Sequence, residues 1–374
     1  MDALTGLELR SLITVDGELR VSLEQVPVAD PAPGEVVVRM EAAPINPSDL
    51  GLLLGPADPA TFRAGGEVGS PVLIADIPRP APASVAARIG QSLGVGNEGA
   101  GTVIRAGADV VHLVGRKVAL LGGPVYTQYR VLPAKACTVL PEDATAAEGA
   151  ALTVNPLTAL AFVETMRLEG HSAIIHTAAA SNLGQMLVRI CLADGVPLVN
   201  VVRSAAQAAL LRDIGATHVV DSTAADFRDR LVEAIADTGA TIAFDAIGGG
   251  TLAGDILNAM ETVASRSLDG FTRYGSTTPK QVYIYGMLDT GPTVLERRFG
   301  FSWGMGGWLL FPFLQRVGAE TGDRLRKRVL DEYRTTFASR YTATIGLADM
   351  LDPKIAADYT RKATGTKYLV DPSR

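Results

Sequence analysis

The chain is 374 residues long. At roughly 150 residues per domain, this length suggests two to three domains, with two the simplest interpretation. Hydrophobic residues make up 47% and charged residues 20%, a composition that excludes a largely disordered protein. The 34 basic and 40 acidic residues give a net charge of −6, which argues against nucleic acid or an anionic membrane as the main partner because both require a basic face. A small molecule is therefore the expected partner.

The two cysteines, Cys137 and Cys191, are too few for a disulfide framework or a four-thiolate zinc site. The first twenty residues carry acidic side chains and no continuous apolar stretch, unlike a secretory or mitochondrial leader. The most apolar stretch, residues 299–313, is interrupted by glycines and Pro312 and is too short to cross a bilayer. These features predict a cytoplasmic protein with no membrane span.

The pattern of predicted secondary structure changes near residue 155, which predicts an α/β protein of two domains. Before that point short β-rich runs are separated by turn residues. The predicted strands are residues 11–15, 19–23, 35–40, 101–105, 117–121 and 129–132. After it, apolar strands alternate with alanine-rich helices, the pattern of a doubly wound parallel sheet. The predicted strands here are residues 173–176, 198–202, 218–220, 242–245 and 281–286, and the helices between them include 183–194 and 205–214. A predicted helix at residues 320–337 and a β-like tail at residues 367–370 suggest that the C-terminal part returns to the first domain.

Residues 55–92 break this rhythm, since they are rich in proline, alanine and glycine and have no persistent period. The pattern predicts a long loop or excursion. Because its two ends adjoin the motifs around Asn46 and Asn97, we expect it to form a semi-rigid lid over the substrate side of a cleft between the two domains. A surface insertion remote from the cleft, or an oligomer contact, is the alternative.

The strand at residues 173–176 runs through a turn of small residues, Thr177 to Ser181, into an apolar helix. Small residues allow a close approach of the backbone to a pyrophosphate, and a helix N-terminus offers free N–H groups to it. An ordinary tight turn is the alternative, since most glycines of the G-x-G-x-x-G pattern are replaced here.

The next strand ends in Arg203, nineteen residues beyond Gly184 (203 − 184 = 19), where an NAD-specific fold places a ribose-binding acid. Arginine there suits the 2′-phosphate of NADP. A solvated arginine at the start of a helix is the alternative. The later strand that ends at Ala246, Ile247 and Gly248 predicts backbone beside the nicotinamide, or else a glycine-rich connector.

Several motifs in order along the chain resemble those of the medium-chain dehydrogenase/reductase superfamily. They are residues 35–38, 45–49, 96–101, 154–159, 181–185, 215–221 and 364–367. Within it, the sequence is most similar to the zinc-free quinone oxidoreductases and the 2-enoyl thioester reductases. The resemblance implies a GroES-like catalytic domain, residues 1–153 and 318–374, and an NADPH-binding Rossmann domain, residues 154–317.

This resemblance implies transfer of a hydride from NADPH to a quinone or to the C=C bond of an α,β-unsaturated carbonyl compound. A 2-enoyl thioester reductase is the second possibility, and an NADPH-binding protein with little turnover is the third. The expected cofactor-binding residues are Asn155, Ala180, Ser181, Asn182, Leu183, Gly184, Arg203, Ala246, Ile247, Gly248, Gly286, Met287 and Lys367.

For catalysis, the matched motifs imply that Asn46 and Thr158 donate hydrogen bonds or line the nicotinamide, although each fits a turn or helix cap equally well. Many enoyl thioester reductases carry a proton-donating tyrosine shortly after the Asn-Pro motif, and this chain has none there. Tyr126 or Tyr129 is the expected replacement, with water as the alternative.

The positions that resemble zinc-ligand sites carry Asn46, Asn97 and the neighbourhood of Thr153, with no Cys or His, so no metal is expected. Without zinc to polarise an alcohol, an acceptor already activated by conjugation is the better substrate. Relatives usually form homodimers or tetramers through the edge of the Rossmann sheet, and residues 299–313 are the candidate segment for a homodimer here. An ordinary core segment is the alternative.

Overall fold

The computed structural model describes residues 4–79, 83–361 and 367–374. The chain forms two compact units. The first unit is Met1–Val154 with Arg328–Arg374, and the second unit is Asn155–Lys327. The units therefore change after residues 154 and 327, whereas the sequence predicts domain boundaries after residues 153 and 317.

The first unit is rich in antiparallel β-structure. Its strands are β1 Thr5–Ile13, β2 Glu18–Pro27, β3 Glu35–Pro44, β4 Arg63–Glu67, β5 Ser70–Asp76, β6 Leu93–Gly94, β7 Glu98–Ala106, β8 Lys117–Leu121, β9 Tyr129–Pro133, β10 Cys137–Val139, β19 Ala343–Gly346 and β20 Tyr368–Asp371. Its helices are α1 Pro47–Leu53, α2 Ala83–Ala86, α3 Ala146–Gly149 and α10 Pro353–Thr360. One sheet has the order β4-β5-β2-β1-β6, and the other has the order β10-β8-β7-β3-β20-β19 with β9 beside β3. The C-terminal strand β20 pairs antiparallel with β3, so the predicted return of the tail is confirmed.

Residues 55–92, predicted as a long loop or excursion, contain strands and short helices in the part that the structure describes, so the loop interpretation is wrong there. Strands β4 and β5 form an antiparallel hairpin, and β5 pairs with β2. The sequence signal was weak because β4 is mostly exposed and contains two glycines, while β5 alternates over only a few residues. Leu73 and Ala75 of β5 belong to the buried core of the first unit. The hairpin is therefore part of the fold, and its role as a lid stays a prediction.

The second unit is built on a parallel sheet with the order β13-β12-β11-β14-β16-β18. Its strands are β11 Ile174–His176, β12 Leu198–Val202, β13 His218–Asp221, β14 Ile242–Asp245, β15 Gly248–Gly250, β16 Lys280–Ile284, β17 Asp289–Thr293 and β18 Trp303–Gly307. Its helices are α4 Asn155–Leu168, α5 Asn182–Asp194, α6 Ala205–Ile214, α7 Phe227–Thr238 and α8 Leu252–Ser265. Every strand pair in the larger sheet is parallel, which confirms the predicted α/β class.

Two features after residue 298 differ from the prediction. The stretch 299–313 contains an edge strand, β18, which pairs with β16. Helix α9 spans Leu310–Asp331 and contains Pro312 in its first turn. A proline is tolerated there, because backbone N–H groups in the first turn have no hydrogen-bond acceptor within the helix. Gly318, with φ of 77°, interrupts this helix. The helical segment after Gly318 agrees with the predicted start at residue 320, and the helix ends at Asp331, before the predicted end at residue 337.

Candidate functional site

The turn between β11 and α5 brings five of the predicted cofactor residues together, Ala180 to Gly184. A β-carbon on Gly184 would lie 2.1 Å from the carbonyl oxygen of Ala179, so only glycine fits where the helix begins. Ser181 caps the helix by accepting the N–H of Gly184 at 3.1 Å. Ala178 adopts a left-handed φ of 49°, which is rare outside glycine. The backbone is thereby shaped into a close-fitting cradle at the N-terminus of a thirteen-residue helix.

A second part of the same edge is organised by Asp245, at the end of β14. Its carboxylate accepts the hydroxyl of Thr177 at 2.6 Å and the backbone N–H groups of Ile247 at 2.9 Å and Gly248 at 3.1 Å. The N–H of Ala246 donates to the Thr177 hydroxyl at 2.8 Å. These bonds fix the predicted segment from Ala246 to Gly248 against the turn after β11. Sequence reasoning named neither Thr177 nor Asp245 as site residues, although an acid at the end of a buried strand followed by glycines is a recognisable signal.

Gly286 lies beside this segment, and a β-carbon on it would come within 2.7 Å of the Ala246 carbonyl oxygen. The side chain of the next residue, Met287, is exposed. Because β11, β12, β14 and β16 are parallel neighbours, the segments that follow them meet at one edge of the sheet.

Arg203 follows the end of β12 at this edge, and its side chain is exposed. Its backbone N–H donates to Gln207 at 3.0 Å. Among the described residues, no carboxylate lies within ion-pair distance of its guanidinium. The arginine is thus available to an external anion.

Asn155 and Thr158 lie in the first turn of α4. Asn155 is partly buried and Thr158 is buried. They belong to the second unit, whereas Asn46, Tyr126 and Lys367 belong to the first.

The first unit holds a buried polar cluster around Asn46 and Glu98. The Nδ2 of Asn46 donates to Glu98 Oε1 at 2.8 Å. The other oxygen, Oε2, accepts the N–H and hydroxyl of Thr153, both at 3.0 Å, and the N–H of Val154 at 2.7 Å. Both oxygens of Glu98 therefore accept hydrogen bonds from neutral donors. The sequence did not predict Glu98 as a site residue.

Tyr126 lies in the same cluster and is fully buried. Its hydroxyl is 3.0 Å from the carbonyl oxygen of Pro44 and 3.0 Å from Asp49 Oδ2. Burial, together with the nearby Asp49 carboxyl, raises its pKa well above the usual value. The other tyrosine considered, Tyr129, is only partly buried and begins β9.

Lys367 immediately precedes β20, and its ammonium group is buried. Nζ has no hydrogen-bond partner within the described ranges and lies 5.7 Å from the centre of the Tyr341 ring. Burial lowers the pKa of this lysine, and the nearby carboxylates of Glu98 and Asp49 oppose that shift.

Residues 4–79, 83–361 and 367–374 contain no group of three or more His, Cys, Asp or Glu side chains arranged to hold a metal ion. Across the same residues, no helix is long and apolar enough to cross a membrane.

Residues 183–290 match the family model described as zinc-binding dehydrogenase. The mitochondrial enoyl-[acyl-carrier-protein] reductase of Xenopus tropicalis is 31% identical over 208 residues, which cover 53% of this chain and 51% of that protein. The quinone oxidoreductase of Pseudomonas aeruginosa is 30% identical over 179 residues, which cover 47% of this chain and 54% of that protein. The chain thus spans about half the length of the curated relatives that it matches.

A solved structure described as the Etr1p/NADP/crotonyl-CoA complex aligns with 98% of this chain and 100% of its own, with a TM-score of 0.67 and 19% identity. At that identity the likeness concerns the fold, and it confirms the predicted combination of a GroES-like and a Rossmann domain. The sequence matches, the structural likeness and the ordered motifs agree with one another. Over about half of its length the chain is thus similar in sequence to an enoyl-[acyl-carrier-protein] reductase and a quinone oxidoreductase, and over nearly all of its length it shares the fold of solved reductases.

Proposed function

We propose that the protein is a zinc-independent, NADPH-dependent reductase of quinones or of α,β-unsaturated carbonyl compounds. The observation that carries this proposal is the edge of the parallel sheet, where the Gly184 cradle opens α5 and Arg203 follows the neighbouring strand with no acid of the described residues beside it. A pyrophosphate fits such a helix N-terminus, and a 2′-phosphate suits a free guanidinium. When bound, NADPH supplies a hydride.

Each predicted cofactor residue keeps a stated role in this proposal. Ala180 to Gly184 would hold the pyrophosphate, and Arg203 the 2′-phosphate. Lys367 would contact an anionic part of the cofactor, because its buried ammonium lacks a partner in the described part of the chain. The residues expected to border the nicotinamide half are Asn155, Ala246, Ile247, Gly248, Gly286 and Met287.

The chain's own donors would then stabilise negative charge that develops on the substrate oxygen. Asn46 gives one amide hydrogen to Glu98 and retains a second. The Thr158 hydroxyl has no hydrogen-bond partner among the described residues, so it is a second candidate donor. Tyr126 is proposed to belong to the proton supply.

Zinc independence rests on residue chemistry. Asn46 and Asn97 stand where ligands would be expected, and both point their amide nitrogens at carboxylates, Glu98 and Asp49 respectively. Neutral amides are poor zinc ligands compared with thiolate or imidazole. Polarisation of the substrate would therefore come from hydrogen-bond donors, which suffices for a conjugated acceptor.

Reduction of a 2-enoyl thioester is the second candidate, and the relative from Xenopus tropicalis favours it. The chemistry is the same hydride addition to a conjugated double bond. The two candidates differ in the acceptor, because a thioester carries a long acyl carrier that a simple quinone lacks.

The test is NADPH oxidation by the purified protein with simple quinones, with enones and with an enoyl-CoA, each with and without a metal chelator. We expect turnover of quinones or enones at equal rates with and without chelator. Turnover of enoyl-CoA alone would select the second candidate. Binding of NADPH without turnover of any acceptor would contradict both candidates, and loss of activity on removal of a stoichiometric zinc would contradict the zinc-independent mechanism.

The proposal includes a cytoplasmic homodimer. The chain has only two cysteines, Cys137 and Cys191, too few for a disulfide framework, which suits a reducing compartment. Strand β18 lies at the edge of the larger sheet, and exposed apolar side chains on or near it support a subunit contact there: Phe301, Met305, Leu309 and Phe311.

A further inference from the structure

Asp49 is a buried carboxyl group that forms no ion pair with a described residue, although the charge of the Lys367 ammonium acts on it. It lies in α1 and is 1% exposed. Its Oδ2 accepts the backbone N–H of Asn46 at 2.8 Å, and its Oδ1 accepts the Nδ2 of Asn97 at 2.7 Å. No lysine or arginine of the described ranges lies within ion-pair distance. A carboxyl group in such surroundings is favoured in its neutral, protonated form.

The number of protons available for the contacts of Tyr126 also indicates that Asp49 is protonated. Its hydroxyl lies 3.0 Å from both the Pro44 carbonyl oxygen and Asp49 Oδ2, and both of these atoms are acceptors when Asp49 is ionised. A tyrosine hydroxyl has one proton, so it can fill only one of the two contacts. If Asp49 carries a proton on Oδ2, it donates to Tyr126, and Tyr126 donates to Pro44. Both short contacts are then hydrogen bonds.

We propose that Asp49 holds the proton that balances hydride addition, and that Tyr126 keeps this carboxylic acid in place. The inference rests on the proposed function, since the proposed reduction consumes one hydride and one proton. Asp49 is buried, so it acts through its neighbours and is a positioning residue in the proton supply.

The step balances as follows for a conjugated acceptor. The hydride forms a new C–H bond at the electrophilic carbon, and an electron pair moves onto the substrate oxygen. The O–H bond of Asp49 breaks, its electrons stay on the carboxylate, and the proton forms a bond on the reduced substrate. Water carries the proton and later restores it to Asp49. The exposed end of the cluster is Ser48, whose hydroxyl lies 3.4 Å from Asn97 Nδ2, and this is where water has access.

The charges around Asp49 are consistent with a proton that can leave. The pKa of Asp49 is raised to about 7, because burial and, to a smaller extent, the like charge of Glu98 outweigh the hydrogen bonds from Asn46, Tyr126 and Asn97 that lower it. The titratable groups that face the pair are Glu98 on β7, Lys367 before β20, Tyr126 before β9 and Tyr359 on α10. A pKa near neutrality is what a proton donor at physiological pH needs.

The first test observes the proton without turnover, by infrared spectroscopy of the full-length protein. The carbonyl stretch of a protonated carboxyl group is expected in the wild type at pH 6, and it should fade as the pH rises through about 7. It should be missing from Asp49→Asn and present in Asp30→Asn, which alters an exposed acid. Absence of such a band from the folded wild type would overturn the proposal.

The same protonation predicts a stability difference, which serves as a second readout if the band is obscured. Asp49 has its folded pKa raised from 3.8 to about 7, so the stability gained from its proton is present below pH 4 and is lost as the pH rises to about 7. The melting temperature of the wild type, relative to Asp49→Asn, should therefore fall between pH 4 and 7 and stay level above that range.

The kinetic test uses whichever acceptor the wild type reduces. We expect kcat/KM to fall above pH 7 in the wild type, and Asp49→Asn to lose this limb with kcat reduced about a hundredfold. NADPH affinity should be unchanged. In Tyr126→Phe the limb should move to higher pH, because the ionised carboxylate loses the hydrogen bond that Tyr126 donates to it, which is stronger than the bond that the neutral acid donates to Tyr126.

These outcomes separate the two claims. An infrared band that titrates as expected in a protein that reduces no acceptor would refute the proposed function and leave the buried proton in place. An active Asp49→Asn variant that keeps the alkaline limb of the wild type would refute the role of Asp49 in proton supply.

Discussion

Arg203 is the residue on which cofactor choice depends in this proposal. It stands at the end of β12 without an acidic partner in the described residues, next to the turn that opens α5. Loss of a hydrogen bond to a charged phosphate typically costs about 1.5–3 kcal/mol, which is roughly ten- to a hundredfold in affinity. We therefore expect Arg203→Ala to weaken NADPH binding by that factor and to leave NADH binding nearly unchanged, as measured by fluorescence titration of both cofactors.

Arg212→Ala is the matched control, since it removes an exposed arginine from the last turn of α6. It should change neither affinity. Equal losses for NADPH and NADH in Arg203→Ala would remove this residue from the phosphate site.

The sequence predicted those site residues that can be recognised from their neighbours along the chain. Gly184 and Arg203 stand out because each follows a recognisable strand. Asp49 and Glu98 were parts of motifs but received no role, because their importance comes from partners far away in sequence. The Nδ2 of Asn46 and the N–H of Val154 meet at the two oxygens of Glu98 only after folding. Hydrophobic periodicity does not predict contacts of this kind between residues that are distant in sequence.

At the level of elements, regular packing decided what could be predicted. The strands of the second unit were predicted closely because a parallel sheet covered on both faces gives continuous apolar runs. The β4–β5 hairpin was missed because β4 exposes most of its length and only β5 contributes buried side chains. A strand at the edge of a sheet needs little apolar alternation, so its signal in the sequence is short.

The hairpin's contribution to the fold can be measured at Leu73. This side chain is fully buried in the core of the first unit, so Leu73→Ala should lower the free energy of unfolding by about 2–5 kcal/mol. Val68, at the turn of the same hairpin, is fully exposed. Val68→Ala should therefore change stability by no more than about 0.5 kcal/mol. Chemical denaturation of both variants is the measurement, and equal stabilities would show that the hairpin is not packed in this way.

The same argument limits how the predicted lid can be tested. Replacement of the whole segment from Pro56 to Ala86 would remove Leu73 and Ala75 from the core, so altered kinetics in such a variant would follow from damage to the fold. The exposed turn around Val68 can be changed without that cost.

At the scale of the whole molecule, β18 leaves an edge of the six-stranded parallel sheet uncovered in the described residues. Strand β18 has a neighbour, β16, on one side only within the described residues, and an uncovered edge strand is prone to pair with another chain. Exposed apolar side chains flank it, including Phe301 at 75% and Leu309 at 66%. A second copy of the chain would satisfy the free backbone groups and bury these side chains together.

We therefore expect the purified protein to have about twice the 39.1 kDa mass of one chain in light scattering. Met305→Lys, in the middle of β18, should convert it to a single chain, because two buried lysines would face one another across a symmetric contact. Val111→Lys places the same charge on an exposed apolar position of the first unit and should leave the dimer intact. A dimer that persists in folded Met305→Lys, or a wild type that is monomeric at micromolar concentration, would show that this edge is not the subunit contact.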